Sequence, residues 1–311
     1  MSIVPLVSVI IPTYNRASIV CHTIDNVFQQ TYTNFEVIVV DDGSTDETQS
    51  RLRSYRDRIR VLSQENAGPA VARNRGAKEA RGEFIAFQDS DDLWHPEKLQ
   101  RQISLLQRNL SIQCCLCNVL MRMDGDRPFT SFDHSLIRFD QDEGLWLNVL
   151  DVLATRFVLF NQAAVIRRSK FEELGGFRED IKYLEDYDLP LRLALEGEWA
   201  FIRDPLVTYG ATSPESFSER AKRDIMTLHE CELTIYRCIA SRANNFGYQK
   251  ARLHLERRWA MANRQLRAKR LQGTKQAIAC KAATLLTTID HYRMAVFRRS
   301  PWFPQPSTAP M

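Results

Sequence analysis

A doubly wound α/β domain with a mainly parallel sheet, followed by an all-helical appendage, is the fold class this sequence predicts. Three observations predict it. Short runs of β-branched residues alternate with helix-period stretches through the N-terminal third, a polar cluster follows each run, and the C-terminal third carries helical apolar stripes.

The elements follow in order. Val7–Ile11 and Phe35–Val40 are short β-branched runs with no polar face, as strands buried on both sides require. Between them, Ile19, Ile24 and Val27 fall near helical spacing, so Ala17–Gln30 is expected to be a helix. Ser44-x-x-Glu47 matches a capping box and predicts a helix running to about Arg56. Ile59–Ser63 is a third strand, Pro69–Ala80 a helix with Gly82 as its C-cap, and Phe84–Gln88 a fourth strand. Pro96 opens the next helix. Gln113–Met121 is expected to be a strand with a hairpin turn at Asp124-Gly125, and Phe157–Arg167 another, before a short helix and Gly175-Gly176-Phe177. Residues 126–156 show no period. Three amphipathic helices close the chain, along Ile225–Ile239, Leu255–Leu266 and Ile278–Val296.

Composition sets bounds. The chain has 311 residues, 44% hydrophobic and 26% charged, as in an ordinary globular protein. It contains no apolar run of about eighteen residues, so no transmembrane helix is expected, and no basic segment precedes its first apolar residues, so the N-terminus does not read as a signal peptide. Seven scattered cysteines fit reduced thiols and a cytoplasmic location. Cys114-Cys115-x-Cys117 lies in an apolar run and is expected to be core rather than a metal site. Residues 220–311 carry 18 Lys and Arg against 5 Asp and Glu, so this stretch holds +13 and the remainder −9 of a net +4. That asymmetry, with the break at Gly210–Ser216, divides the chain into residues 1–215 and 216–311. No nucleic-acid motif accompanies the basic charge, so nucleic acid is not an expected partner.

The stretch richest in chemistry is Phe84-Ile85-Ala86-Phe87-Gln88-Asp89-Ser90-Asp91-Asp92. Side chains alternate along a strand, so Asp89 and Asp91 share one side. Two carboxylates at a strand's carboxyl end form a hard oxygen site suited to Mg²⁺ or Mn²⁺, which needs phosphate oxygens and water to fill its shell. A metal-bridged diphosphate substrate is the implication. Pro12-Thr13-Tyr14-Asn15, Asp41-Asp42-Gly43-Ser44 and Asn66-Ala67-Gly68 end the other strands and converge on the same edge.

The order Val9-Ile10-Ile11-Pro12-Thr13-Tyr14-Asn15-Arg16, Val39-Val40-Asp41-Asp42-Gly43-Ser44 and Asn66-x-Gly68-x-x-x-Ala72-Arg73-Asn74-x-Gly76 resembles the family 2 glycosyltransferases of GT-A fold. Asp89-Ser90-Asp91-Asp92, Gly175-Gly176-Phe177 and Glu185-Asp186-Tyr187-Asp188-Leu189 continue the match, which spans about residues 6–210. The resemblance implies an inverting sugar transfer from a nucleotide-sugar, a UDP-sugar by default, to an acceptor hydroxyl. The acceptor would be a saccharide or lipid-linked saccharide, with residues 126–156 as its specificity loop. It places Pro12, Thr13, Tyr14, Asn15, Asn66, Gly68, Arg73, Asp89, Ser90 and one of Asp41 and Asp42 on the donor. Asp91, with Asp89, would hold the metal, and Asp186 would be the general base, with Glu185 as the alternative.

Asp188 and Pro190 are expected to cap and open a helix there. The chain departs from the family pattern at Gln88, normally apolar, at Pro190, and at Tyr209-Gly210-Ala211, which lacks a histidine common in relatives. Two rival readings are a non-catalytic nucleotide-sugar-binding or scaffold protein and a sugar nucleotidyltransferase. Intact Asp89, Asp91 and Asp186 oppose the first; a glycine-rich loop with a lysine, absent here, would mark the second. The basic tail, ending in Arg298-Arg299-Ser300-Pro301-Trp302-Phe303, is suited either to packing or homodimerisation, or to peripheral contact with anionic lipid.

Overall fold

The computed structural model describes residues 4–121, 128–210, 220–221, 223–270, 305–309 and 311. Strands β1 (Val7–Thr13), β2 (Phe35–Asp41), β3 (Arg60–Ser63) and β4 (Phe84–Phe87) form a parallel block in the order β4-β1-β2-β3. Every residue of β1 is buried, which is why its sequence lacks alternation. Helices α1 (Val20–Val27), α2 (Thr48–Leu52) and α3 (Pro69–Lys78) make the crossovers. Gly76 lets α3 lie directly on the sheet, because a Cβ there would stand 2.5 Å from Ile10 Cγ2 and 3.1 Å from Val40 Cγ2.

The next elements are β5 (Leu93–Trp94), α4 (Lys98–Arg108), β6 (Cys114–Met121), β7 (Phe129–Thr130), α5 (Ser131–His134), β8 (Glu143–Trp146) and α6 (Val149–Leu153). Then come β9 (Ala164–Arg167), α7 (Arg168–Glu173), α8 (Glu185–Leu195) and β10 (Trp199–Thr208). β9 runs antiparallel between β4 and β6, and β10 is parallel to β6. The tail supplies α9 (Ile225–Asn245) and α10 (Gln249–Arg270), and then β11 (Thr308–Ala309). This last strand pairs antiparallel with β8 and forms the outer edge of the sheet.

Several expectations need correction. No capping box forms at Ser44: its hydroxyl accepts from the Asn15 amide at 2.9 Å, so α2 starts at Thr48, whose amide donates to Asp46 at 2.9 Å. Gly82 is not a C-cap, since α3 ends at Glu79. Gly82 instead passes against β1, where a Cβ would stand 2.6 Å from the Ser8 amide nitrogen. The strand expected over Phe157–Arg167 is confined to Ala164–Arg167, because the Phe160 carbonyl accepts from the amides of both Ala163 and Ala164 and closes a turn. Of the stretch 126–156, the described residues 128–156 hold β7, α5, β8 and α6 rather than an aperiodic loop. The Asp124-Gly125 turn, the third tail helix and Arg298–Phe303 lie outside the described residues. Within them, no helix is long and apolar enough to cross a membrane. Cys114, Cys115 and Cys117 are fully buried free thiols, as expected of core, and Trp94 and Trp146 are core residues too.

One core residue was not anticipated. Lys98 is completely buried, with its ammonium 4.1 Å from the Trp94 ring centroid and donating to Gln102 Oε1 at 2.8 Å. Burial lowers its pKa from 10.5 to about 8. In that window the unfolded chain binds a proton that the folded chain does not. The penalty for burying Lys98 is therefore full below pH 8 and fades toward pH 10.5. Urea unfolding should show the native protein gaining stability relative to Lys98→Met as pH rises through this range. Burial raises the Cys114, Cys115 and Cys117 thiols, an opposing contribution present in both proteins. Parallel pH profiles for the two proteins would contradict a charged, buried Lys98.

Candidate active site

The carboxyl ends of β1, β2 and β4 open into a cleft of about 1120 Å³. Pro12, Thr13, Tyr14 and Asn15 line it after β1, Asp42 after β2, and Asn66 and Gly68 before α3. Arg73 of α3, the loop Asp89-Ser90-Asp91 after β4, and Glu185 and Asp186 of α8 complete the set. Thirteen of the fourteen expected site residues thus meet in one place, and Asp41 does not. Its buried carboxylate accepts from the Ser44 amide at 3.1 Å and Gln49 Nε2 at 2.7 Å. Asp42 accepts from Gln64 Nε2 at 2.7 Å and from the amides of Ala67 and Gly68 at 2.9 and 2.8 Å. It therefore shapes the turn into α3, where Gly68 adopts φ 93°, a conformation that favours glycine. Thr13 is 3% exposed and its Oγ1 has no partner among the described residues, although it lines the cleft.

The acidic loop is braced from below. Gln88 is fully buried, and its Nε2 donates to the Asp92 carbonyl at 2.6 Å, which accounts for a polar residue at that position. Asp92 is buried and accepts from the Gly210 amide at 2.7 Å; burial raises its carboxyl well above the usual range. A Cβ at Gly210 would overlap the Asp91 carbonyl oxygen, so glycine there is a packing requirement. Asp91 is about one-third exposed and meets Arg16 at 3.6 Å. Burial, and then the charge of Asp89, raises its carboxyl. Two hard carboxylates carrying mutual repulsion at the mouth of a cleft fit a divalent cation. No group of three or more metal-binding side chains occurs among the described residues, so most of the coordination shell would come from substrate and water.

The start of α8 also lines the cleft. Leu184 takes a left-handed φ of 67° and turns the chain into the helix without any side-chain cap. Glu185 is 5% exposed and bonded at 2.9 Å to Nη1 of Arg73, whose Nη2 holds Asp89 at 2.6 Å. Arg73 therefore joins the acidic loop to α8. Both carboxylates strengthen its protonation. Asp186 lines the cleft, and burial, then the Glu185 and Asp89 charges, push its carboxyl up to about 7.

Asp188 does not cap the helix. It is fully buried and accepts from Arg192 Nε at 2.6 Å, while Arg192 pins the carbonyls of Leu174 and Gly176. Nor does Pro190 sit in the first turn: it lies inside α8, and lacking an N–H it cannot bond the Asp186 carbonyl one turn earlier.

Some lining residues escaped the sequence reading, among them Asn161, Gln162, Lys182 and Tyr209. Asn161 and Gln162 are both buried, and two amides interrupting an apolar run were the available signal. Lys182 carries no such signal in one sequence.

Residues 8–175 match the model of glycosyl transferase family 2, and the chain belongs to that family. It is 34% identical over 194 residues to an uncharacterized glycosyltransferase of Rickettsia prowazekii, a match covering 60% of this chain and 57% of that protein. It is also 46% identical over 106 residues to WfgD of Escherichia coli, a UDP-Glc:alpha-D-GlcNAc-diphosphoundecaprenol beta-1,3-glucosyltransferase, across 33% of this chain and 42% of that protein. The chain thus spans less than two-thirds of these relatives. In fold it is similar to S. aureus TarS solved with UDP-GlcNAc, at TM-score 0.66 and 21% identity, covering 89% of this chain and 79% of that one. The architecture is accordingly the expected GT-A type, with helices beyond it.

Arg73→Met should destabilise the fold by about 3–5 kcal/mol, because it strands the buried Glu185 charge. Adding Glu185→Leu should restore part of that loss in urea unfolding. A single-variant loss below about 1 kcal/mol would show that the pair is not buried in solution.

Proposed function

We propose that this protein is an inverting glycosyltransferase that moves a sugar from a nucleotide diphosphate donor, a UDP-sugar by default, to a saccharide hydroxyl. The observation that carries this reading is Asp186 facing the same cleft as Asp89 and Asp91, with Glu185 already committed to Arg73. Of the two adjacent acids, only Asp186 is left to accept a proton, so Asp186 is the general base and Glu185 an anchor. Its raised carboxyl matches that task, since a base works best with a pKa near the operating pH. Thr13, with its unpartnered buried hydroxyl, and the Tyr14 and Asn66 loops hold the nucleoside.

The acceptor hydroxyl enters from the side of Asn161, Gln162 and Lys182, loses its proton to Asp186, and attacks the anomeric carbon as the bond to the diphosphate breaks. Asp91, with Asp89, would hold Mg²⁺ or Mn²⁺, which supplies Lewis-acid stabilisation of the leaving diphosphate when bound. A single displacement needs no enzyme nucleophile. TarS was solved with UDP-GlcNAc, and a mannosyltransferase of Pyrobaculum calidifontis of the same fold, at TM-score 0.55, with GDP-Man and Mn²⁺. WfgD's diphosphoundecaprenol-linked acceptor makes a lipid-linked saccharide a reasonable acceptor class here.

A thermal-shift screen of nucleotide-sugars with Mn²⁺ or Mg²⁺ is expected to single out one donor by a metal-dependent rise in melting temperature. Asp91→Asn should lose the metal dependence; an undiminished rise would reassign the metal. With that donor, Asp186→Asn should bind normally yet transfer about 10²- to 10⁴-fold more slowly. Unchanged transfer would remove Asp186 from the base role. The rate of the native enzyme should fall as pH drops below about 7, because the protonated carboxyl cannot accept a proton. A profile flat from pH 8 to about 5 would be incompatible with this assignment.

A further inference from the structure

We infer that Arg258, on the second tail helix, is a positioning residue that sets the rotation of the base helix through Tyr187; the inference rests on Asp186 being the base. Four consecutive residues at the start of α8 point to four different anchors. Glu185 goes to Arg73 at 2.9 Å, Asp186 to the cleft, Tyr187 to the tail and Asp188 to Arg192 at 2.6 Å. Tyr187 is 5% exposed, donates to the Leu153 carbonyl at 3.0 Å, and accepts from Arg258 Nη1 at 2.5 Å. The Arg258 guanidinium also lies over two rings, 5.7 Å from the Tyr187 centroid and 5.6 Å from that of Tyr236. Tyr187 and Tyr236 themselves meet edge to face at 6.1 Å.

This helix needs outside support. It starts at a left-handed Leu184 with no side-chain cap, and Pro190 withdraws the amide that would otherwise bond the Asp186 carbonyl. Adjacent side chains on a helix stand about 100° apart, so holding Glu185 on one side and Tyr187 on the other fixes where Asp186 points. Arg73 provides the first hold from the catalytic sheet and Arg258 the second from the tail. The tail helices are therefore part of the catalytic geometry, and a displaced base is costly: misplacement by about 1 Å can cost on the order of 10²-fold in rate.

The test uses the full chain with the donor identified by the melting screen. Arg258→Met, which keeps the stem but loses the charge and donor, and Tyr187→Phe should each lower kcat about tenfold or more while leaving donor KM and UDP–Mn²⁺ binding within about twofold. Arg258→Lys, which retains the cation over the rings, should recover part of kcat. Hydrogen–deuterium exchange should quicken in residues 184–189 of both damaged variants, a readout that needs no substrate. Native kcat and native exchange in Arg258→Met and Tyr187→Phe would overturn the inference. So would an equal loss of kcat and UDP binding, which would mean general unfolding. Transfer by Asp186→Asn, assayed in parallel, separates failure of the base assignment from failure of this one.

Discussion

Arg73 is the constraint on which the rest of the site depends. One guanidinium, 5% exposed, binds Asp89 at 2.6 Å and Glu185 at 2.9 Å and lies 5.5 Å from the centroid of the Phe177 ring. Those two carboxylates belong to segments nearly a hundred residues apart in the chain. Without a cation between them, the acidic loop and the acidic first turn of α8 would repel across a poorly hydrated gap. With it, the acidic loop and the start of α8 are tied to one side chain. Specificity of this kind comes from geometry: Arg presents its donors in a fixed fork, which Lys cannot imitate.

The same logic explains the odd features around the cleft. Gln88, Gly210 and Asp92 use buried hydrogen bonding and close packing to hold the acidic loop from beneath, leaving Asp91 as the carboxylate turned outward. At the start of α8, strain at Leu184 and the missing hydrogen bond at Pro190 are tolerated because Arg73, Arg192 and Arg258 grip the neighbouring side chains. Three arginines thus hold consecutive side chains at the start of α8 in place. The chain's net charge conceals this use of Arg as internal scaffold.

Much of this was legible in the sequence. The parallel block could be read from continuous β-branched runs, and the cleft from polar clusters that each follow a strand. Motif order then assigned the family, and Asp186 and Asp91 line the same cleft. Local rules failed where a distant partner took over a residue. Ser44 binds Asn15 instead of capping, Asp41 accepts from the Ser44 amide, and Asp188 pairs with Arg192. Arg73 lines the cleft, and there its Nη1 and Nη2 bind two carboxylates. The return of β11 to the sheet edge was invisible because pairing across such separations leaves no trace in local spacing. That return, with Arg258, also joins the basic tail more closely to the first 215 residues than their charge contrast suggested.

The proposed chemistry has one stereochemical consequence that no packing detail can mimic. A base that takes the acceptor proton across the cleft from the departing diphosphate permits only attack from the face opposite the leaving group. Proton NMR of the first product formed from an α-configured donor should therefore show a β anomeric linkage. An α-linked first product would require a second displacement or same-face attack, and would contradict the arrangement built around Arg73 and Asp186.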